Sequence, residues 1–172
     1  MIILFFFITA YFYCFNIKLD LNGDNASYFL LGKSLIEGKG YTRIWIADLP
    51  TENQLPPGYP LLIAFVIKIF GPDYIPIKIL NGIFLLSIIS FIIGIGKQLK
   101  ISQWVIIATT LTLIVNQHLL HYSSIIMSEI PFLFFSTLSI YFVLLSDQNN
   151  KLRSKWFYIA MISLVIAYYI RT

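Results

Sequence analysis

The feature that most constrains this chain is the apolar run over residues 75–95, in which Lys78 is the only charged side chain. A helix needs about 20 consecutive apolar residues to cross a bilayer, and this run is long enough. Of the 172 residues, 58% are hydrophobic and only 12% are charged, about half the charged share of soluble domains. A soluble domain of this size could not bury so much apolar surface. The sequence therefore predicts an all-α integral membrane protein.

Four further apolar stretches complete a predicted multi-pass bundle of about five transmembrane helices. They cover residues 2–17, 101–115 (reaching spanning length with 116–120), 130–145 and 156–170. The first stretch lacks a basic leader and a small-residue cleavage site, so we interpret it as an uncleaved anchor. The chain then divides into a first span at 1–17, a loop at 18–73 and four further spans within 74–172.

The basic residues of the short loops predict the orientation. Lys97 and Lys100 lie between the second and third predicted spans, and the loop between the fourth and fifth holds Lys151, Arg153 and Lys155. The loop at residues 118–128 holds neither Lys nor Arg. By the positive-inside rule the basic loops are cytoplasmic. We expect a cytoplasmic N-terminus in a cell (inner) membrane, with loop 18–73 and residues 118–128 on the extracytoplasmic side.

The first loop is predicted to carry two interfacial helices. The first covers residues 25–37, ends at Gly38 and is amphipathic. At 100° per residue its apolar face holds Tyr28, Phe29, Leu31, Leu35 and Ile36, and its polar face Ser27, Lys33, Ser34 and Glu37. The second, residues 60–70, is apolar nearly all round but too short to cross, and Gly71 ends it. Tyr59 precedes it and either lines a site or belongs to the aromatic interface belt.

Two carboxylates are predicted on the extracytoplasmic side. Asp24 precedes the amphipathic helix and either caps it or, held by that helix, acts as a catalytic base. Ser128 and Glu129 open the fourth predicted span, where Ser128 can cap the helix and Glu129 complements its dipole. Their position at the membrane edge, on the side of Asp24, favours a second interpretation in which both carboxylates belong to one site.

Metal and nucleic-acid sites have little support in the sequence. His118 and His121 are three residues apart and could share a metal, but no third ligand follows at a fitting spacing. We interpret them as interfacial polar residues and predict no metal site, while a divalent cation stays compatible with the sequence. The formal charge of +4 comes from scattered residues that form no basic face for a phosphate backbone.

Three short motifs follow one another in a recognisable order. They are Gly23-Asp24 before an aromatic helix, PPGYPLLIAFVIKIFG at residues 56–71, and Ser128-Glu129 after a polar loop. This order resembles the GT-C superfamily of membrane glycosyltransferases, specifically the bacterial relatives of dolichyl-phosphate-mannose protein mannosyltransferases and of aminoarabinose transferase. The chain departs from the family at Asn25, where a second acidic residue is common. Family members are longer, so the resemblance implies an N-terminal part of a GT-C transmembrane domain that is inactive alone.

The resemblance also implies a reaction. A monosaccharide passes from a polyprenyl-phosphate donor to an acceptor (protein, lipid A or cell-envelope glycan) on the extracytoplasmic face, with inversion. Asp24 would take the acceptor proton, and Glu129 matches the second acidic position. The candidate substrate-binding residues are Tyr28, Arg43, Tyr59, His121 and Arg171. The two arginines and Lys39 are the candidate partners of the leaving phosphate. The interfacial helices would hold the carrier among the membrane lipids, while Lys68 and Lys78 snorkel to headgroups.

The main alternative is a non-catalytic multi-pass membrane protein, such as a transporter fragment. A transporter is expected to place ionisable residues and broken helices near the membrane midplane. The charged residues of this chain lie at the ends of the predicted spans, which favours an interfacial active site. A purely structural anchor is the third possibility, and it would not require two carboxylates on one side.

Overall fold

The computed structural model describes residues 2–18, 20, 23–148 and 155–171. Within these ranges the regular structure is helical, apart from one isolated antiparallel bridge between Thr42 and Thr51. The helices are α1 (Ile2–Cys14), α2 (Asn25–Ile36), α3 (Gly58–Phe70), α4 (Ile75–Gln98), α5 (Gln103–Ile114), α6 (Gln117–Ser123), α7 (Glu129–Gln148) and α8 (Lys155–Ile170). The predicted all-α architecture is confirmed. Lys151 and Arg153, which contributed to the predicted orientation, lie outside the described residues.

The number of membrane-spanning helices differs from the prediction. Helix α4 and residues Glu129–Ser146 of α7 are long and apolar enough to cross a membrane. Helices α5 and α6 pass the same test only as a pair, bent by 55°. Because the side chain of Asn116 accepts the Leu119 N–H at 3.0 Å, a new helix begins at the bend. The described residues thus contain two candidate spans, or three with the bent pair. Leu4–Cys14 of α1 and the whole of α8 are apolar but shorter, so the predicted count of about five is not confirmed.

Helices α4, α7 and α8 form the centre of the bundle. Phe84 of α4 stacks on Phe134 of α7, with ring centroids 4.4 Å apart. Helix α8 packs mainly on α7, and its buried face includes the small residues Ala160, Ser163 and Ala167. Small residues let neighbouring helices approach closely in a membrane. This packing brings the end of α8 to the beginning of α7.

Helix α2 packs across α3 instead of lying only on the membrane. A Cβ atom on Gly32 would stand 2.5 Å from Cγ2 of Ile63, so this crossing requires a glycine. Tyr28 and Leu31, from the predicted apolar face, are buried. Ser34, predicted on the exposed polar face, is also buried, and its hydroxyl donates to the Gly40 carbonyl at 2.9 Å. The predicted polar face is therefore wrong at Ser34, because its hydroxyl is used to close the end of the helix.

Lys78 does not snorkel to the membrane surface as predicted. Its side chain is fully buried, and its ammonium donates to the carbonyls of Asn16 at 2.7 Å and Lys18 at 2.6 Å. The Tyr11 hydroxyl in turn donates to the Lys78 carbonyl at 2.8 Å. These bonds fasten the chain that follows α1 to the first turn of α4. Lys68, on α3, is exposed.

Candidate functional site

The first turn of α2 is held against the chain that precedes α7. The side-chain oxygen of Asn25 accepts the Ile126 N–H at 2.8 Å, and Asn25 is only 2% exposed. One turn later the Tyr28 hydroxyl donates to the Ser128 hydroxyl at 3.2 Å. The two stretches predicted to share a side of the membrane therefore lie together at one end of the bundle. Asn25 joins the two stretches. It occupies the position at which the family that the chain resembles commonly has a second acidic residue.

Glu129 and Arg171 form an ion pair at the same end. A guanidinium nitrogen of Arg171 lies 2.7 Å from Oε1 of Glu129. Glu129 begins α7, where the helix dipole favours a negative charge, and Arg171 directly follows α8. The other oxygen, Oε2 of Glu129, is buried and has no hydrogen-bond partner among the described residues. We call Asp24, Tyr28, Ser128, Glu129 and Arg171 the carboxylate cluster.

Tyr59 forms the floor under the cluster. Its ring packs edge-on against Tyr28 with centroids 5.1 Å apart, and its side chain is fully buried. Its hydroxyl accepts a hydrogen bond from Nδ2 of Asn81 at 3.1 Å, and the same nitrogen donates to the Ile125 carbonyl at 2.9 Å. Asn81 is not among the predicted site residues, although an amide within an apolar run is a recognisable signal.

Gly58 determines how closely the end of α8 approaches this floor. A Cβ atom at position 58 would stand 2.5 Å from the Tyr169 carbonyl oxygen and 2.8 Å from the Ile170 nitrogen. Both contacts are with backbone, which cannot rotate away, so only glycine fits. The glycine of the PPGYP motif therefore lets the end of α8 place Arg171 against Glu129.

Both carboxylates act electrostatically on the Tyr28 hydroxyl. Burial raises the pKa of Tyr28, and the hydrogen bond with Ser128 lowers it by less. The negative charges of Asp24 and Glu129 raise the pKa further, and Arg171 opposes them. The Tyr28 phenol therefore stays protonated and acts as a hydrogen-bond donor at neutral pH.

Asp24 does not cap its helix through its side chain. It occupies the N-cap position with φ −88° and ψ 2°, and its carboxylate makes no capping hydrogen bond. The contact with the helix is a backbone one, in which the Asp24 carbonyl accepts the Tyr28 N–H at 2.9 Å. The capping interpretation is therefore wrong, since this N-cap geometry leaves the exposed carboxylate unused by the helix.

Arg43 is engaged in folding the loop between α2 and α3. Two of its nitrogens donate to the two carboxylate oxygens of Glu52, both at 2.9 Å. The Glu52 side chain is 3% exposed, and its Oε1 also accepts N–H groups from Asn53 and Gln54. The hydrogen bond from Arg43 is the main reason that the pKa of Glu52 falls to about 2. These contacts do not bring Arg43 to the carboxylate cluster.

The loop is expected to loosen in acid. Because the folded pKa of Glu52 lies below its ordinary value of 4.5, its contribution is complete above about pH 4.5 and is lost as the pH falls toward 2. Hydrogen exchange of the loop amides, corrected for intrinsic rates, should show protection falling by about one order of magnitude between pH 6 and pH 3. Glu52→Gln should abolish this pH dependence, and equal protection at both pH values would contradict the assignment.

His121 lies at a different place from the cluster. Its exposed ring lines a polar cavity of about 510 Å³ together with Lys18 and Lys78. His118 is exposed on the same short helix. Among the residues that the structure describes, no group of three His, Cys, Asp or Glu side chains could hold a metal ion. The structure therefore brings Asp24, Tyr28, Tyr59, Glu129 and Arg171 together, and leaves Arg43 and His121 outside.

Comparison with known proteins gives one family match. The profile of the family described as dolichyl-phosphate-mannose-protein mannosyltransferase matches residues 57–170. The match includes Tyr59 and Glu129 and begins after Asp24 and Tyr28. No curated protein and no solved structure gives a significant match.

Proposed function

Because the chain belongs to the dolichyl-phosphate-mannose-protein mannosyltransferase family, we propose that it transfers a monosaccharide from a polyprenyl-phosphate donor to an acceptor hydroxyl. The acceptor is a protein, a lipid or a cell-envelope glycan. The carboxylate cluster is the observation that supports this proposal, because it gathers two carboxylates and an arginine at one end of an apolar bundle. A membrane-embedded donor presents its sugar at such an end.

Asp24 is the proposed general base. The acceptor oxygen attacks the anomeric carbon, the bond from that carbon to the donor phosphate breaks, and the acceptor proton moves to the Asp24 carboxylate. The lipid phosphate leaves with the bonding electrons. A single displacement of this kind inverts the anomeric centre. The exposed carboxylate suits the role because the helix does not use it as a cap.

Arg171 and Glu129 are the proposed partners of the donor and the acceptor. The Arg171 side chain is 49% exposed, so its remaining N–H groups can bind the leaving phosphate while Glu129 fixes the guanidinium. The buried Oε2 of Glu129 can accept a hydrogen bond from a substrate hydroxyl. Tyr28 would supply a neutral hydroxyl near the two carboxylates.

An apolar cavity whose lining begins at Leu62, about one helical turn after Tyr59, is the proposed place for the carrier lipid. It lies between α3 and α4, has a volume of about 520 Å³, and is lined by residues that include Leu62, Phe65, Ile69 and Ile83. Helix α3 begins at Gly58, next to Tyr59 of the cluster floor. A lipid tail in this cavity would therefore lie about one helical turn from Tyr59.

The reaction can be tested with the full-length protein in liposomes. Radiolabelled polyprenyl-phosphate mannose should donate its sugar and release one polyprenyl phosphate per transfer, whereas a soluble nucleotide-mannose should not. Parallel reactions with other lipid-linked sugars identify the preferred donor. Turnover of the nucleotide sugar, or no turnover with any lipid-linked sugar, would overturn the proposal.

The proposed orientation places the cluster outside a cell (inner) membrane, with a cytoplasmic N-terminus. In a Cys14→Ser background, single cysteines at the exposed positions Glu37 and His118 should react with an impermeant maleimide in intact cells. A cysteine at Lys100 should react only after permeabilisation. The opposite pattern would place the cluster in the cytoplasm.

One observation favours the non-catalytic alternative. The 55° bend between α5 and α6 resembles the broken helices found in transporters. The bend places α6 beside α4 and α1, at the end of the bundle where the polar residues lie. Solute uptake without sugar transfer in the liposome experiment would support a transporter instead.

A further inference from the structure

The polar cavity beside His121 lies outside the carboxylate cluster, none of whose residues lines it. The cavity has a volume of about 510 Å³ and is lined by residues that include Asn16, Lys18, Asp20, Lys78, His121 and Ser124. Ile125 also lines the cavity, and its carbonyl accepts the hydrogen bond from Asn81. The two lysines against one aspartate favour an anionic ligand.

An apolar groove lies next to this cavity, between α1 and α4. It has a volume of about 340 Å³, and its lining includes Phe7, Ile8, Phe12, Ile79 and Ile83. Phe15 of the groove follows Cys14 of the cavity, and Ile79 of the groove follows Lys78 of the cavity. Lining residues of the cavity and of the groove are therefore neighbours along the chain at the end of α1 and in the first turn of α4.

Lys78 lines the cavity and directly precedes Ile79 of the groove. Its buried ammonium donates to the carbonyls of Asn16 and Lys18, which uses two of the three N–H donors of a lysine. Tyr11, which lines the groove, donates to the Lys78 carbonyl. A cation is thus fixed at a residue that lines the polar cavity and directly precedes a residue of the apolar groove.

We propose that this cavity and groove together bind one membrane lipid with an anionic phosphate headgroup. The phosphate lies in the cavity beside Lys18 and Lys78, and one lipid chain lies in the groove along α1. Basic pockets between transmembrane helices bind lipid headgroups by the same attraction. A free phosphate ion would make no use of the groove, and a neutral lipid would make no use of the lysines. No residue of the carboxylate cluster lines the cavity or the groove, although Ile79 and Ile83 of the groove also line the proposed carrier cavity. Binding of a phospholipid here does not require the proposed transfer reaction.

The site can be tested by lipid titration of the full-length protein in a neutral detergent, with bound lipid counted by native mass spectrometry. The probes are phosphatidylglycerol, phosphatidylcholine and inorganic phosphate. Phosphatidylglycerol should bind most tightly. Lys18→Gln should weaken it by about fivefold, the effect of one lysine near an anionic lipid. Lys18 is exposed, so its replacement does not disturb the core.

The groove is tested by Ile8→Trp, which places a larger side chain on a partly exposed groove position and should abolish binding. The matched controls are Lys68→Gln and Leu61→Trp, both at exposed positions of α3, and they should bind as the unmodified protein does. Equal binding of phosphatidylcholine, or an unchanged affinity in Lys18→Gln and Ile8→Trp, would overturn the proposal. Inorganic phosphate that competes at equal affinity would show a free-phosphate site and overturn it too.

Discussion

Replacing Asp24 by asparagine is expected to lower the sugar-transfer rate by a factor of about 10²–10⁴, the range that a general base contributes. Asparagine keeps the size of the side chain and removes only its ability to take a proton. Because the Asp24 carboxylate makes no capping hydrogen bond, even Asp24→Ala should avoid the loss of about 1 kcal/mol that follows removal of a cap. Transfer and the unfolding temperature should be measured on the same preparations.

The matched control for this experiment is Asp48→Asn. Asp48 is another exposed carboxylate in the first loop, and its backbone has φ 66°, a conformation that asparagine adopts readily. Its transfer rate should stay unchanged. An Asp24→Asn protein with an unchanged transfer rate would exclude Asp24 as the general base. An Asp24→Ala protein whose free energy of unfolding falls by about 1 kcal/mol would support the capping role instead.

The sequence predicted helix ends well where a single residue, such as a glycine, determines them. The glycines after α2 and α3 adopt positive φ, 73° at Gly38 and 86° at Gly71, as helix ends require. The number of spans could not be predicted in this way. A run of apolar residues looks continuous in sequence, yet Asn116 offers its side chain to a backbone N–H and begins a new helix. Local hydrophobicity does not reveal that competition.

The site was predicted only in part, because its decisive contacts join distant residues. The sequence placed Asp24 and Glu129 on one side of the membrane, but the hydrogen bond from Ile126 to Asn25 links residues 101 positions apart. Arg43 looked available for a phosphate until the structure paired it with Glu52. Lys78 was predicted to snorkel to the headgroups because it lies near the end of a span. Instead, two backbone carbonyls bind its ammonium.

Replacing Glu129 by glutamine is expected to affect both stability and transfer. The change leaves Arg171 without its carboxylate, and removal of one partner from a half-exposed pair should cost about 1–2 kcal/mol. If Glu129 also fixes Arg171 for the donor phosphate, the donor KM should rise by about tenfold or more, the effect of one charge-assisted hydrogen bond. Unfolding and steady-state kinetics on one preparation separate the two effects.

The surface pair of Glu37 with Lys39 is the matched control, since its charged atoms lie 2.6 Å apart and the Glu37 side chain is 34% exposed, against 22% for Glu129. Glu37→Gln should change neither stability nor KM measurably. A double-mutant cycle with Arg171→Gln then identifies the role of Glu129. If Glu129 acts through Arg171, the double variant should have the donor KM of Arg171→Gln alone. Additive increases in KM would instead mean that Glu129 binds substrate independently, through the oxygen that Arg171 does not occupy. A donor KM that stays unchanged in Glu129→Gln would reduce the pair to a structural contact between α7 and α8.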